Sequence, residues 1–293
     1  MEMKDPELVS IKEVFIRKVD GIESSSFPDI VSVEEPLEIR ISYGSEAERV
    51  QKNISVTMRT PGNDLDLAVG FLFTEGIISS YQNIKKVYHI EKNCTVQKKN
   101  VVQVDLIENF IPHLVQTDRN FYTTSSCGVC GKSAIESIRT VSAFKDIQNS
   151  KLKLSTAVLY QLPDKLRTGQ SSFALTGGIH AAGLFTLEGE LVLLQEDVGR
   201  HNALDKLIGK ALAENLLPLN NYILLLSGRI SFELIQKAAM AGISIVAAIG
   251  APSSLAVELA AEFNITLLGF LKKERFNIYH STDQVFIPTS SKN

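Results

Sequence analysis

Between residues 202 and 271 the chain alternates helix-length amphipathic stretches with short, wholly apolar runs, and no other feature of the sequence restricts the fold as much. The spacing predicts helices over 202–214, 232–241 and 255–263, and strands over 222–226, 243–248 and 266–271. An apolar strand that does not alternate with polar residues must be buried on both faces, which is the situation of a mainly parallel sheet with helices on either side. Runs over 181–187 and 190–195, joined at Glu188-Gly189, read as a hairpin added to it. The expected architecture is a three-layer α/β domain over residues 115–293.

The first third is patterned differently. Leu37, Ile39, Ile41 and Tyr43 alternate with Glu38, Arg40 and Ser42, and Ile54, Val56 and Met58 alternate likewise, giving two half-buried strands about a polar turn at 44–49. Asp64 is placed as the N-cap of a helix over 65–78. Residues 84–91 and 100–107 read as a hairpin or as neighbouring strands. Residues 1–30, charged and Ser-rich with little periodicity, read as an arm or an edge strand around 14–19. Together these predict a smaller β-rich domain, 1–114, packed on the α/β domain with no repeat or low-complexity linker between them.

Composition removes whole classes of function. Hydrophobic residues make up 44% of 293 residues, yet no apolar run approaches the roughly 18 residues of a membrane helix. A formal net charge of −3, with Lys98-Lys99 as the main basic cluster, argues against a nucleic-acid partner and against a membrane surface. The charged start and the three cysteines fit a reducing, cytoplasmic setting.

Two of those cysteines stand together in Ser125-Ser126-Cys127-Gly128-Val129-Cys130-Gly131. Thiolate is the reactive form of cysteine, and a helix N-terminus or a nearby cation raises its fraction. Lys132 and a helix-like run over 133–140 follow at once, so Cys127 or Cys130 is a candidate nucleophile, by dithiol exchange or by carrying sulfane sulfur as a persulfide. Structural zinc lacks ligands, because Cys94 is alone and the five histidines are scattered. Gly128 and Gly131 make a poor core element, against a merely buried pair. The zinc nucleobase deaminases pair His-x-Glu with Pro-Cys-x-x-Cys. Here His89-Ile90-Glu91 lies in an alternating strand and Ser126 replaces the proline, so that likeness is incomplete and no metal is expected.

Ligands of open α/β sheets bind beyond the carboxyl ends of strands, at helix N-termini. In this chain those junctions are Glu196-Asp197-Val198-Gly199-Arg200-His201-Asn202, Ser227-Gly228-Arg229-Ile230-Ser231 and Gly250-Ala251-Pro252-Ser253-Ser254, with the turn Thr176-Gly177-Gly178-Ile179-His180 beside them. Small residues let backbone N–H groups approach an anion, and arginine's fork suits phosphate oxygens. Ordinary capping by Asn202, Ser231 and Ser253 accounts for any one junction; three in succession point to Gly177, Gly178, His180, Arg200, His201, Ser227 and Arg229 as a binding site, with His180 as a proton donor or base.

These junctions, with Val33-Glu34-Glu35-Pro36-Leu37, Met58-Arg59-Thr60-Pro61-Gly62, Leu67-Ala68-Val69-Gly70-Phe71-Leu72, Glu75-Gly76 and the Ser-Ser-Cys-Gly-Val-Cys-Gly loop, resemble the FdhD family, the formate dehydrogenase accessory sulfurtransferases. The resemblance implies a sulfur carrier that takes sulfane sulfur from a cysteine desulfurase of the IscS type and passes it to the bis-molybdopterin guanine dinucleotide cofactor, ahead of its insertion into formate dehydrogenase. It implies a cytidine-deaminase-like fold without the zinc, a homodimer, and a site that GDP-like nucleotides also enter. It places the persulfide on Cys127, with Cys130 assisting, and the cofactor on Phe270, Leu271, Lys272, Lys273, Glu274 and Arg275. Lys272 stands where family members often have arginine, and lysine offers phosphate a charge without a fork. Arg200, Arg229 and Arg275 would then supply the charges for the guanosine pyrophosphate. The rival classes are a thiol-disulfide oxidoreductase, which the lack of tryptophan and the long α/β array disfavour, and a cofactor chaperone that transfers no sulfur.

Overall fold

The computed structural model describes residues 10–90, 99–114, 144, 152–283 and 285–287. Cys94, Cys127, Cys130 and the helix-like run at 133–140 lie outside the described residues.

The chain opens with a two-stranded antiparallel ribbon, β1 (Ile11–Asp20) and β2 (Glu23–Ser32), where the sequence suggested at most an edge strand. Strands β3 (Glu35–Gly44) and β4 (Arg49–Arg59) follow as expected, about the turn at 44–49. They form a four-stranded sheet, order β4-β3-β6-β5, with β5 (Ile84–His89) and β6 (Val101–Leu106), which pair antiparallel to one another. Alternation along β3 turns Leu37, Ile39 and Ile41 inward, all with no exposed surface, onto helix α1 (Asp64–Thr74).

Asp64 does not cap α1. Asn63 occupies the cap position in a left-handed conformation (φ 53°), and Asp64 is the first helical residue. Its carboxylate accepts from Arg59 Nε and Nη2 at 2.9 Å each, so the buried guanidinium takes the acceptor that a capping role would have used.

The remaining elements are β7 (Leu152–Lys153), α2 (Thr156–Gly169), α3 (Ser171–Thr176), β8 (His180–Phe185), β9 (Leu191–Asp197), α4 (Arg200–Ala213), β10 (Ile223–Leu226), α5 (Phe232–Met240), β11 (Ile245–Ala248), α6 (Ser254–Glu262), β12 (Thr266–Lys272), β13 (Arg275–His280) and β14 (Val285–Phe286). A six-stranded sheet runs β13-β12-β11-β10-β8-β9. It is mixed, where a mainly parallel sheet was expected: β10–β11 and β11–β12 pair parallel, but β8–β9, β8–β10 and β12–β13 pair antiparallel. Short turns explain two of the three, because Glu188-Gly189 and Lys273-Glu274 reverse the chain with no room for the crossover that a parallel pair requires. An apolar run reports double burial, not the direction of its neighbour.

Double burial itself is borne out. Leu224 and Leu226 of β10 face α4, α5 and α6, while Ile223 and Leu225 face α2 through Leu159, Leu162 and Leu166. The inner face of the N-terminal sheet belongs to the same cluster as α4, so one core runs from Leu37 to Leu267. The join is close: a Cβ on Gly70 of α1 would overlap the Asp205 carbonyl, and one on Gly209 of α4 would overlap that of Asp66. At that crossing the two helices touch backbone to backbone.

Candidate functional site

All the strand-end junctions fall at one edge of the six-stranded sheet. β10 and β11 end there, β9 ends there, and antiparallel β8 begins there at His180. Backbone bonds stitch the loops together: Ser227 N to Ala181 O (3.0 Å), Ile249 N to Leu226 O (3.0 Å), Gly250 N to Gly228 O (3.2 Å) and Phe270 N to Gly250 O (3.0 Å). A Cβ on Gly250 would come within 2.6 Å of the Gly228 carbonyl, and one on Gly228 within 3.1 Å of His180 Nδ1, so the stack of loops depends on both glycines.

Beneath this edge lies a cleft of about 580 Å³ that includes Gly177, Gly178, His180 and Ser227 in its wall. Helices α2 and α3 close its other side with Pro163, Arg167, Gln170 and Phe173, and the Arg167 guanidinium lies 3.7 Å from the Phe173 ring centre. The sequence reading missed this wall. The signal was present in Leu159, Leu162 and Leu166 at helical spacing, but Pro163 among them reads as a breaker.

The seven residues from Glu196 to Asn202 divide the work. Glu196 accepts from the backbone N–H groups of Ser172 (2.9 Å) and Phe173 (3.0 Å), anchoring the start of α3. Asp197, with no exposed surface, pairs with Lys206 at 2.7 Å and accepts from Thr60 N, Gly199 N and Asn202 Nδ2. Thr60 and Asn202 thereby fasten the Met58–Gly62 turn to the sheet edge, Asn202 donating to Met58 O at 2.7 Å.

Arg200 is treated otherwise. Its Nε is buried and makes no hydrogen bond among the described residues, and it has no carboxylate within ion-pair distance among them. Arg229 is exposed and likewise without an acidic partner among them. His180 is held below the usual histidine range, first by burial and then by the positive neighbours Arg200, His201 and Arg229, against a smaller pull from Asp197. At neutral pH its imidazole is therefore uncharged and able to donate or accept. His201 stands apart from the cleft wall, its Nε2 2.8 Å from Glu233 Oε2 and 3.1 Å from Ser231 Oγ, and that bond holds the Glu233 carboxyl below its ordinary value.

Phe270 to Arg275 form the β12–β13 hairpin and do not line this cleft. Leu271 is fully buried in the core, whereas Phe270 is 40% exposed in a left-handed backbone conformation (φ 53°), rare for so bulky a residue. Lys273 and Glu274 instead line a second cleft, about 590 Å³, with Ala157, Tyr160, Gln161, Asp164 and Lys165 of α2. Lys272 and Arg275 are exposed at the hairpin. Helix α2 thus separates the two groups of expected cofactor residues.

The model of the FdhD/NarQ family matches residues 32–286, from the last residue of β2 to the last of β14. The chain belongs to this family. It is 45% identical over 281 residues to a sulfur carrier protein FdhD of Streptomyces coelicolor, covering 94% of this chain and 96% of that one. To a protein of the same name from the archaeon Picrophilus torridus it is 44% identical over 265 residues, 90% of this chain and 95% of the other. The crystal structure of a Desulfotalea psychrophila protein assigned as a formate dehydrogenase accessory protein superposes with a TM-score of 0.69 over 94% of this chain and 99% of its own, at 21% identity. That likeness shows the mixed α/β fold. Among the described residues no helix is long and apolar enough to cross a membrane.

Proposed function

We propose that this chain is a persulfide sulfur carrier serving formate dehydrogenase, in which the strand-end cleft grips the anionic tail of the molybdopterin guanine dinucleotide that receives the sulfur. The observation that carries the reading is a neutral His180 lining a site-sized cleft, with Arg200 and Arg229 near it, outside the lining, and neither of them at ion-pair distance from a carboxylate among the described residues. A buried, unpaired guanidinium nitrogen is costly unless an acceptor arrives, and a pyrophosphate is such an acceptor. The relatives named sulfur carriers support the chemistry at the cysteines.

In this reading the Cys127 thiolate attacks the outer sulfur of a persulfide on a cysteine desulfurase. The desulfurase thiolate leaves, and the outer sulfur remains on Cys127. At the cofactor, the Cys130 thiol attacks Cys127 Sγ, a Cys127–Cys130 disulfide forms, and the former outer sulfur departs as hydrosulfide toward the metal centre. A dithiol reductant then reopens the disulfide. Arg200 and Arg229 hold the pyrophosphate meanwhile, and His180 supplies or takes the proton that the sulfur step requires. Gly177 and Gly178 offer backbone N–H groups, Ser227 its hydroxyl and His201 a further polar contact, while Phe270 to Arg275 take a second part of the same ligand. The cytidine-deaminase-like layering, the division near residue 114, the cytoplasmic setting, the absence of a resident metal and the homodimer belong to the same proposal.

Two measurements test it. Intact-mass spectrometry after incubation with a cysteine desulfurase and cysteine is expected to show one added sulfur, removable by reductant, in wild type and Cys130→Ala but not in Cys127→Ala. No gain in wild type would leave a cofactor chaperone or a redox pair. Titration calorimetry with GDP is expected to show binding that Arg200→Ala weakens, and equal affinity in the two proteins would remove the cleft from the assignment.

A further inference from the structure

The N-terminal ends of α4 and α5 meet at one carboxylate. Arg200 and His201 are the first two residues of α4, and Glu233 is the second residue of α5. An acidic side chain in the first turn of a helix is favoured by the helix dipole, but that preference does not decide which cation it faces. Three basic side chains bear on Glu233, and two of them leave it alone. Lys237, one turn further along α5, is already engaged, its Nζ meeting Asp205 at 3.0 Å, Glu75 at 3.1 Å and Thr74 at 2.9 Å. Arg200 is near enough to help hold the Glu233 carboxyl below its ordinary value, yet makes no ion pair with it. His201 takes the carboxylate, with Nε2 2.8 Å from Glu233 Oε2. A carboxylate only accepts, so Nε2 carries the proton. Ser231 occupies the N-cap of α5 without a capping bond from its side chain, and its Oγ lies 3.1 Å from the same Nε2. Two groups at the start of α5 thus fix one imidazole nitrogen of α4.

Arg200 is left unmatched beside the cleft. Its Cδ and the His180 ring flank one glycine, at 4.0 Å and 3.1 Å from where a Gly228 Cβ would stand, and His180 lines the cleft. The buried Arg200 Nε has no hydrogen-bond partner among the described residues. The Glu233 side chain is 58% exposed, which leaves it room to turn. A carboxylate released next to an unmatched guanidinium would pair with it.

We infer that His201 is a positioning residue: by holding Glu233 it keeps this internal carboxylate off Arg200 and leaves the guanidinium free for the phosphate of a nucleotide. While Glu233 occupies Arg200 the site cannot take the anion, so affinity falls by the fraction of molecules in that state.

The role given to His201 rests on Arg200 being the anion anchor of the proposed function, and two readouts separate them. The first is titration calorimetry of the full chain with GDP, over a double-mutant cycle of His201→Ala and Glu233→Gln. His201→Ala is expected to weaken GDP about five-fold, the size of an ion pair with a half-exposed partner. Glu233→Gln alone is expected to change affinity by less than about two-fold, because His201 holds the side chain away in either form. His201→Ala/Glu233→Gln should regain the lost affinity, and His201→Gln, whose amide can donate where Nε2 does, should regain most of it. The loss in His201→Ala should shrink at high salt. Additive effects in the cycle would overturn the positioning role and leave His201 a direct contact. The second readout needs no nucleotide: the Arg200 Nε–H resonance is expected to shift in His201→Ala and to return in His201→Ala/Glu233→Gln. A resonance that stays in place would overturn the positioning role whatever GDP does. A resonance that moves as expected, with GDP affinity unchanged in Arg200→Ala, would support the hold on Glu233 and remove the anion anchor.

Discussion

Asp197 and Arg200 are three residues apart, yet they sit in opposite electrostatic conditions. Asp197 is completely buried and completely satisfied, by Lys206, two backbone amides and Asn202. Arg200, close enough to His180 to lower its pKa, keeps a buried Nε that no described residue meets. A charge whose partners are all internal holds the fold together and has nothing left for a ligand, while a charge left without partners keeps its interaction energy for something that arrives. The comparison also divides the motif: Glu196, Asp197 and Asn202 build the platform, and Arg200, with Arg229 and His180, faces outward from it.

The platform side should break hardest. Asp197→Ala leaves Lys206 buried without its counter-charge and is expected to lower unfolding free energy by about 3–5 kcal/mol in urea titration. Asp197→Ala/Lys206→Met should recover only part of that loss, since Thr60 N and Gly199 N still lose their acceptor. Full recovery would show the ion pair to be the whole of the clamp. On the cleft side the order reverses. Arg200→Ala should weaken GDP binding by about 10- to 100-fold, the range of a charge-assisted hydrogen bond, while changing stability by less than about 1 kcal/mol. Arg229→Ala, at an exposed position, should cost only a few-fold in affinity, with a larger effect at low salt than at high.

The smallest effect concerns pH. The folded state holds the His180 pKa below its ordinary value of 6.5, so between the folded pKa and 6.5 the unfolded chain binds the extra proton more readily. The associated stability is fully present above pH 6.5 and is lost as pH falls from 6.5 through the folded pKa. His180→Asn should flatten that part of the stability–pH curve, and the His180 ring resonances of the wild type should titrate with a midpoint below 6.5. A midpoint above 6.5 would mean that Asp197 outweighs burial and the arginines.

Several elements were legible because local pattern and tertiary burial agree. Strand 222–226 and helix 232–241 are found as Ile223–Leu226 and Phe232–Met240, and the expected convergence of the junctions follows from which strand ends they occupy. The direction of β8 was not legible, because the residues of a doubly buried strand are the same whichever way its neighbour runs. Helix α2 was hidden by Pro163, and with it Arg167 and the second cleft. The ribbon was hidden because Ser24, Ser25, Ser26 and Pro28 carry no alternation. Asp64 misled because an acceptor at a helix start fits a cap and an ion pair equally well, and only the position of Arg59 decides between them.

The crossing of Gly70 and Gly209 has a consequence for synthesis. Helix α1 is made early, but the surface that covers it is α4, and at roughly 5–20 residues per second the intervening chain takes on the order of ten seconds to leave the ribosome. Through that interval Leu67, Ala68 and Leu72 of α1 wait without the helix that buries them. A substitution that enlarges Gly209, whose added Cβ would overlap the Asp66 carbonyl, is therefore expected to show first as lost yield of soluble protein, before any purified molecule could be assayed for sulfur or nucleotide.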